Sequence, residues 1–413
     1  MNKNLLTFTL FSFCIVAILC ASCNEATTQT SSQAEAKTID LPKLLDRSEK
    51  IQLGKEWDYV QNYYMDRKQA LEKNPEDNQA KLEIAQLFIK EARVTGEHGH
   101  YYPAALKTIN EILSQDSLDN NMNFLALMTK AGVQLSLHEF SDALDTGLKA
   151  VKLNPANAQI YGVLVDANVE LGNYGEAVKL ADRMVSIKPD LRSYSRISYL
   201  REIHGDVEGA KKALTLAVEA GYPGYEETAW AMLTLGELYA EYGEIDKAEK
   251  IYEQIVEMRP NYPFAVAALG DIAYEKGEIE KAEKIYNDAI EIIPEVGFYI
   301  SLAQIYKETG REDEYTNIIS EIMEMLEDDV VHGHNMNLEY AHLYNDVMDN
   351  PDKALVYVKK EYEKRPENID VNRVLSKIYL NLDDKTNSKI YAEAAGITNS
   401  KHPELKKILD KIN

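Results

Sequence analysis

A regular spacing of proline constrains the fold of this chain more than any other feature. Pro155 and Pro189 lie 34 residues apart, and the same interval separates Pro260 from Pro294. Self-similarity at a fixed period of about 20–50 residues indicates a stack of identical supersecondary units. Although 413 residues would otherwise suggest two or three domains, the period predicts one elongated repeat array.

Two adjacent segments, 232–260 and 266–294, carry the period at several positions. The recurring positions are Gly243, Ala248, Tyr252 and Pro260, which return as Gly277, Ala282, Tyr286 and Pro294. Gly243 is placed to end the first helix of a pair, and Ala248 to fit a close helix crossing. Gly236 and Gly270 allow the same close approach. Pro260 follows the second helix because proline cannot continue it. The segments therefore predict antiparallel helix pairs.

This pattern resembles the tetratricopeptide repeat, and the resemblance extends over residues 79–399. It implies an all-α fold, a right-handed α-α superhelix (solenoid) of about nine helix-turn-helix repeats. In the first repeat, 79–117, we expect seven extra residues between the two helices. A terminal repeat has no neighbour to cover its apolar face. We therefore expect N-terminal capping helices in 41–78 and a C-terminal capping helix in 400–413.

The first 40 residues predict an export signal and a membrane tether. An uncharged run from Leu5 to Ala21 follows Lys3, as in a secretory signal peptide. The segment from Cys20 to Cys23 resembles the lipobox of bacterial lipoproteins, although Cys20 replaces the usual leucine. The resemblance implies cleavage after residue 22, lipidation of Cys23 and a flexible tether over 23–40, with the chain attached to the cell envelope, at the outer membrane. A plain signal peptide and an uncleaved spanning helix are the alternatives.

Composition excludes several functions. A net charge of −23 argues against a nucleic-acid partner held by phosphate contacts. Phosphate-loop, nucleophile-elbow and zinc-protease motifs are all missing from the sequence. With no stretch of about 100 residues outside the array, we predict neither an enzyme nor a cofactor.

The resemblance also assigns a partner-binding groove, because the first helix of each repeat lines the concave face in this superfamily. The groove candidates are Trp230, Leu233, Glu237, Glu241, Phe264, Asp271, Tyr274, Glu275, Asp166 and Glu170. Carboxylates with exposed aromatic side chains suit a basic, partly apolar protein or peptide segment. The alternative is that these acidic residues form ordinary solvated faces of an acidic protein.

Four of the eight histidines form two His-Gly-His pairs, each in an insertion relative to the repeat pattern. The pairs are His98 with His100 and His332 with His334. Imidazoles are good ligands for zinc, but two ligands do not make a site. They are weak metal candidates, and we expect exposed loops there rather than a metal centre.

These features predict a membrane-anchored scaffold that binds a protein partner and has no catalytic site. One alternative is a glycan-binding lipoprotein of nutrient uptake, a family that also joins helical repeats to a lipid anchor but adds long loop insertions. Another is an accessory lipoprotein of an outer-membrane assembly or secretion complex.

Overall fold

Residues 41–412 are described by a computed structural model, and every regular element in that range is helical. Cys23 and the predicted segments 1–22 and 23–40 lie outside the described residues. The twenty α-helices are α1 (Glu56–Lys73), α2 (Asn78–Thr95), α3 (His98–Leu113), α4 (Asn120–Ser136), α5 (Phe140–Leu153), α6 (Ala158–Glu170), α7 (Tyr174–Ile187), α8 (Leu191–Ile203), α9 (Val207–Glu219), α10 (Glu226–Glu241), α11 (Ile245–Met258), α12 (Pro263–Glu275), α13 (Ile279–Ile290), α14 (Val296–Glu308), α15 (Glu312–Val331), α16 (Asn337–His342), α17 (Pro351–Lys364), α18 (Ile369–Asn381), α19 (Lys385–Ala395) and α20 (Pro403–Ile412).

Helices α2 to α19 form nine consecutive pairs, which confirms the predicted repeat fold. Within a pair the two helices pack on each other, and the second helix packs on the first helix of the next pair. First helices also approach one another, as α4, α6, α8 and α10 do in succession. Second helices of successive pairs do not come as close. The more closely spaced layer lies on the inside of a curved stack, so the first helices form the inner layer.

The glycines and alanines of the repeat have the predicted roles. Gly243 ends α10 with a φ of 82°, a left-handed conformation that favours glycine. At Gly236, an added Cβ would lie 2.3 Å from the Tyr252 ring, so the ring packs directly on the α10 backbone. Ala248 and Ala282 are both completely buried at the crossings. The close helix contact therefore depends on these small residues.

Aspartate and asparagine side chains fix where many helices begin. The carboxylates of Asp77 and Asp119 and the amide oxygen of Asn157 accept hydrogen bonds from backbone N–H groups in the first turns of α2, α4 and α6. Asp190 forms a reciprocal capping box with Ser193 at the start of α8. These caps satisfy donors that a helix leaves unpaired and set the register of each pair.

The array is not a simple elongated stack, because its second half returns to contact its first half. His138 Nδ1 hydrogen-bonds the Asn335 carbonyl at 3.0 Å, across 197 residues. Asn368 donates to the Glu170 carbonyl across 198 residues, and Arg259 pairs with Glu56 across 203. These contacts join segments about 200 residues apart, so successive turns of the superhelix pack on each other. The elongated array expected from the sequence is therefore wrong.

A buried ion cluster joins the two turns. Arg365 is 6% exposed, donates to Glu361 on its own helix at 2.5 Å and pairs with Glu170 on α6. Its guanidinium lies 4.7 Å from the centroid of the Phe140 ring. Burial alone would raise the pKa of Glu361, but Arg365 and the hydrogen bonds that Glu361 accepts, one of them from Asn335, lower it below its usual value.

The ends of the array are covered by single helices. In 41–78 there is one α-helix, α1, and a short 3-10 turn at Glu49–Ile51, rather than several capping helices. Buried Arg47 fastens this segment to α2 by donating to both carboxylate oxygens of Glu91 at 2.7 Å. At the other end Leu405 and Ile408 of α20 pack on α19. None of the helices in the described range has the length and apolar character needed to cross a membrane.

Candidate functional site

The inner layer carries a cluster of carboxylates on two neighbouring helices. Glu237 and Glu241 stand one turn apart on α10, and Asp271 and Glu275 stand one turn apart on α12. Residues spaced by four share one face of a helix, so each pair points the same way. All four residues are exposed. We call these four residues the inner acidic face.

Mutual repulsion and a desolvating environment act on this face. Although Asp271 reaches solvent, the protein atoms that surround it on the concave side partly desolvate its carboxylate and raise its pKa to about 6. A hydrogen bond from the Tyr286 hydroxyl at 2.6 Å lowers this pKa, and the charge of Glu275 raises it. The pKa of Glu237 is raised by desolvation first, then by Asp271 and Glu241. Both carboxylates are therefore more costly to ionise than in water.

Glu202 extends the acidic surface onto α8, although the sequence did not single it out. Desolvation, followed by the charge of Glu241, raises the pKa of Glu202 to about 7. The Tyr242 hydroxyl donates to it at 3.4 Å. Glu202 could have been found in the sequence from its position. It lies in the last turn of the first helix of its repeat, as Glu170 and Glu241 do in theirs.

The aromatic and apolar groove candidates have different environments. Trp230 is 45% exposed on α10, as a partner-binding side chain needs to be. Phe264 is half-buried and packs edge-on against Phe298 at 5.9 Å, while the half-buried Tyr274 donates its hydroxyl to Glu308 at 2.6 Å. Leu233 is only 6% exposed and belongs to the core shared by α10 and its neighbours. The expectation that Leu233 faces the groove is therefore wrong.

Two more candidates are already paired within the chain. Arg196 donates to both carboxylate oxygens of Asp166, at 2.8 and 2.5 Å. Glu170 pairs with Arg365 of the next superhelical turn. At the edge of the inner acidic face, His402 Nε2 lies 2.6 Å from Glu241. The carboxylates left without a basic partner are thus those of Glu237, Asp271 and Glu275.

The histidines form a second cluster, in a different arrangement from the predicted pairs. His98 comes from the first pair and His334 from the second, and both lie beside Asp329. Each of these three residues has one potential metal-ligand atom, and the three atoms lie within 4.8 Å of one another. His100 instead hydrogen-bonds the Lys43 carbonyl at 2.8 Å, and the ring of His332 bonds the Asp328 carbonyl at 2.8 Å.

The expected loop around His98 is also wrong. α2 runs to Thr95 and α3 begins at His98, so the extra residues of the first repeat lengthen its helices. Only Gly96 and Glu97 separate them. The second pair does follow a helix, since His332 caps α15 and His334 precedes α16.

A stack of nine helix pairs with a continuous inner layer defines the class of this protein, a helical repeat solenoid. Two stretches of this stack, residues 128–191 and 233–296, match the family model for the tetratricopeptide repeat. A stretch of 150 residues is 25% identical to the cellulose synthase operon protein C of Pseudomonas fluorescens strain SBW25, covering 34% of this chain and 11% of that protein. The chain thus spans about a tenth of that relative's length.

Several solved structures are similar to parts of the chain. The Pseudomonas aeruginosa pilF structure matches with a TM-score of 0.41 and 14% identity, over 56% of this chain and 97% of that one. A tetratricopeptide repeat protein from Parabacteroides merdae matches with a TM-score of 0.36 and 15% identity, over 70% and 98%. A MamA crystal structure matches with a TM-score of 0.31 and 23% identity, over 39% and 93%.

Proposed function

We propose that this chain is a lipid-anchored scaffold of the cell envelope with no catalytic activity, and that its inner acidic face holds a basic, partly apolar segment of a protein partner. The observation that carries the proposal is a set of carboxylates without counter-charges. Within residues 41–412, no lysine or arginine forms an ion pair with Glu237, Asp271 or Glu275. A cationic segment would relieve their repulsion and supply the missing partners.

The placement of glutamates at helix ends supports this proposal. Glu170, Glu241, Glu275 and Glu308 are the last residues of α6, α10, α12 and α14. The carboxyl end of a helix carries partial negative charge and favours cations, so a glutamate there disfavours the helix by a few tenths of a kcal/mol. Glu170, Glu241 and Glu308 have partners within the chain, but Glu275 has no basic partner in the described range. A residue choice that works against local stability is expected where function requires it.

An exposed tryptophan adds the apolar component. Trp230 lies two turns before Glu237 on α10 and exposes 45% of its surface. Tryptophan is enriched at the centres of protein interfaces because it buries a large area at small entropic cost. A partner segment that places an apolar side chain on Trp230 and lysine or arginine beside Glu237 and Asp271 matches the surface in both respects.

Charge reversal on matched faces tests the partner surface. The inner variant carries Glu237→Lys and Asp271→Lys, and the control carries Glu253→Lys and Glu257→Lys, two exposed residues of the second helix α11. Full-length tagged chains are purified after crosslinking, and co-purified proteins are quantified. We expect wild type and control to recover the same partner in equal amounts and the inner variant to recover at least about tenfold less of it. High salt present during crosslinking should lower the recovery by wild type, because salt screens the charges that attract the partner.

Equal recovery by the inner variant, or recovery of no protein above background by wild type, contradicts the proposed partner surface. Because both variants change net charge by the same amount, a nonspecific charge effect would reduce recovery by both.

The proposed anchor rests on the sequence from Leu5 to Cys23 and has its own test. Cells expressing the chain are fed a clickable palmitate analogue, and incorporation into the purified chain is measured. We expect Cys23→Ser to abolish labelling and to release the chain from membranes, while Cys20→Ser retains both. Labelling that persists in Cys23→Ser would refute lipidation at this residue.

A further inference from the structure

Three donor groups from two distant parts of the chain converge at the junction of the two superhelical turns. His98 is the first residue of α3, and Asp329 lies in the last turn of α15. Gly333, with a φ of 98°, reverses the chain so that the His334 N–H donates to the Asp329 carbonyl at 2.9 Å. The reversal brings the His334 ring beside the Asp329 carboxylate, with Nδ1 3.5 Å from Oδ1.

His334 has an unpaired polar atom in this cluster. Its side chain is only 7% exposed, and its Nε2 is buried without a hydrogen-bond partner. The Glu339 Oε2 atom is also buried and unpaired, and its charge acts on Asp329. Buried polar atoms are nearly always satisfied by protein, water or an ion. The unpaired Glu339 oxygen beside the cluster suits a cation, and an ion bound at the cluster would give this oxygen a partner.

The chemistry of the cluster suits a divalent transition metal. Imidazole nitrogen and carboxylate oxygen are both accepted as ligands by zinc and related divalent ions. Two imidazoles and one carboxylate form a common zinc ligand set.

The geometry is close to that of a bound site. Ligand atoms at about 2.0–2.1 Å from a tetrahedral zinc ion lie about 3.4 Å from one another. His334 Nδ1 and Asp329 Oδ1 are 3.5 Å apart, which is close to that separation. His98 needs only a small approach, since no donor pair exceeds 4.8 Å. Tyr102 stacks on His98 at 5.3 Å and lies 5.8 Å from His334, which holds both rings in place.

We propose that His98, Asp329 and His334 form a site for one zinc-class divalent ion that fastens α3 to the α15–α16 junction. The fourth position is open to water or to Glu339. Such an ion would link the two superhelical turns directly, so its binding would stabilise the coiled form of the solenoid.

Zinc titration of the full-length chain in detergent tests this site. The chain is stripped with a chelator, its cysteines are alkylated, and Zn²⁺ binding is measured by calorimetry, with Co²⁺ as a spectroscopic probe. We expect one ion per chain, a rise in thermal midpoint with Zn²⁺, and a visible Co²⁺ band typical of tetrahedral coordination. Substituting a residue that only supports a metal ligand typically lowers metal affinity about 10–100-fold. His98→Gln and Asp329→Asn remove ligands themselves, so each should lower the affinity for Zn²⁺ at least about 100-fold.

His100→Gln is the matched control. It removes a neighbouring histidine of the same sequence pair that lies outside the cluster, so affinity should stay within about twofold. Far-ultraviolet circular dichroism of each metal-free variant confirms that its helices are intact. The proposal is overturned if folded wild-type chain binds no Zn²⁺ at millimolar concentration, or if His98→Gln and Asp329→Asn bind as tightly as wild type.

Discussion

Replacing Arg365 by methionine removes the positive charge at the centre of the contact between superhelical turns. The variant Arg365→Met keeps most of the side-chain length, so packing against the Phe140 ring is largely retained. The substitution removes the positive charge that pairs with the carboxylates of Glu361 and Glu170. Glu361 is only 1% exposed. Removing one partner of a buried ion pair costs about 3–5 kcal/mol, because the other charge stays buried and uncompensated.

Two features of this structure adjust that magnitude. Glu361 keeps hydrogen bonds from Asn335 at 2.6 Å and Asn337 at 3.3 Å, which favours the lower end of the range. The pKa of Glu361 is also lower in the folded wild type than in the unfolded chain, so its ionisation stabilises the fold. This contribution is complete above the pKa of Glu361 in the unfolded chain and is lost as the pH falls through its pKa in the folded protein. Without Arg365 its pKa rises, so the cost of the variant should be largest near pH 7 and shrink towards pH 4.

Urea denaturation and amide hydrogen exchange measure the effect, with Arg201→Met as control. Arg201 pairs with Asp206 at 3.2 Å, but its side chain is 50% exposed, so its loss should cost less than about 1 kcal/mol. Arg365→Met should also speed exchange at the Asn335 amide, which bonds the Leu137 carbonyl across the turns. Equal costs for the two variants, or unchanged exchange at Asn335, would refute the reasoning.

Two further predictions concern the repeat core and the inner surface. Gly236→Ala should destabilise the chain by about 1–3 kcal/mol in thermal denaturation, because the new Cβ meets the Tyr252 ring at 2.3 Å. The control Gly175→Ala has open space around the new Cβ on α7 and should stabilise the chain by up to about 1 kcal/mol. Equal effects of the two substitutions would contradict the packing of Tyr252 on Gly236. The pKa of Glu202 in the folded protein is raised to about 7, so the wild type loses stability as the pH rises from 4.5 to 7 and this carboxyl ionises. Glutamine does not ionise, so Glu202→Gln should lose about 1 kcal/mol less over this range, a figure that allows for solvent screening. Thermal midpoints measured from pH 5 to 8 with parallel slopes for both proteins would contradict the assignment.

The helix pairs could be predicted from sequence because their determinants are local. Gly243, Ala248 and Tyr252 each act within one pair or its neighbour, and each recurs with the period of the repeat. The coiling of the array could not be predicted in this way. The pairing of Arg365 with Glu170 depends on small rotations summed over six repeats, and no local pattern encodes that sum.

The same distinction separates the predicted site residues. Glu237 and Asp271 could be predicted because the resemblance to the tetratricopeptide repeat places residues of the first helices on the inner face, and both are exposed in the structure. Leu233 was misplaced because a shift of one residue around a helix, about 100°, decides between core and surface. His98 and His334 were noticed as parts of separate pairs, but their meeting with Asp329 depends on the long-range coiling.

Site-specific photocrosslinking in cells tests the central claim, that the inner acidic face binds a protein partner. A photoreactive amino acid replaces Trp230 in one strain and Leu216 in another, since both are 45% exposed but Leu216 lies on the second helix α9. We predict a discrete crosslinked adduct from position 230, which the double variant Glu237→Lys with Asp271→Lys abolishes, and no such adduct from position 216. Equal adducts from both positions, or an adduct from 216 alone, would contradict it.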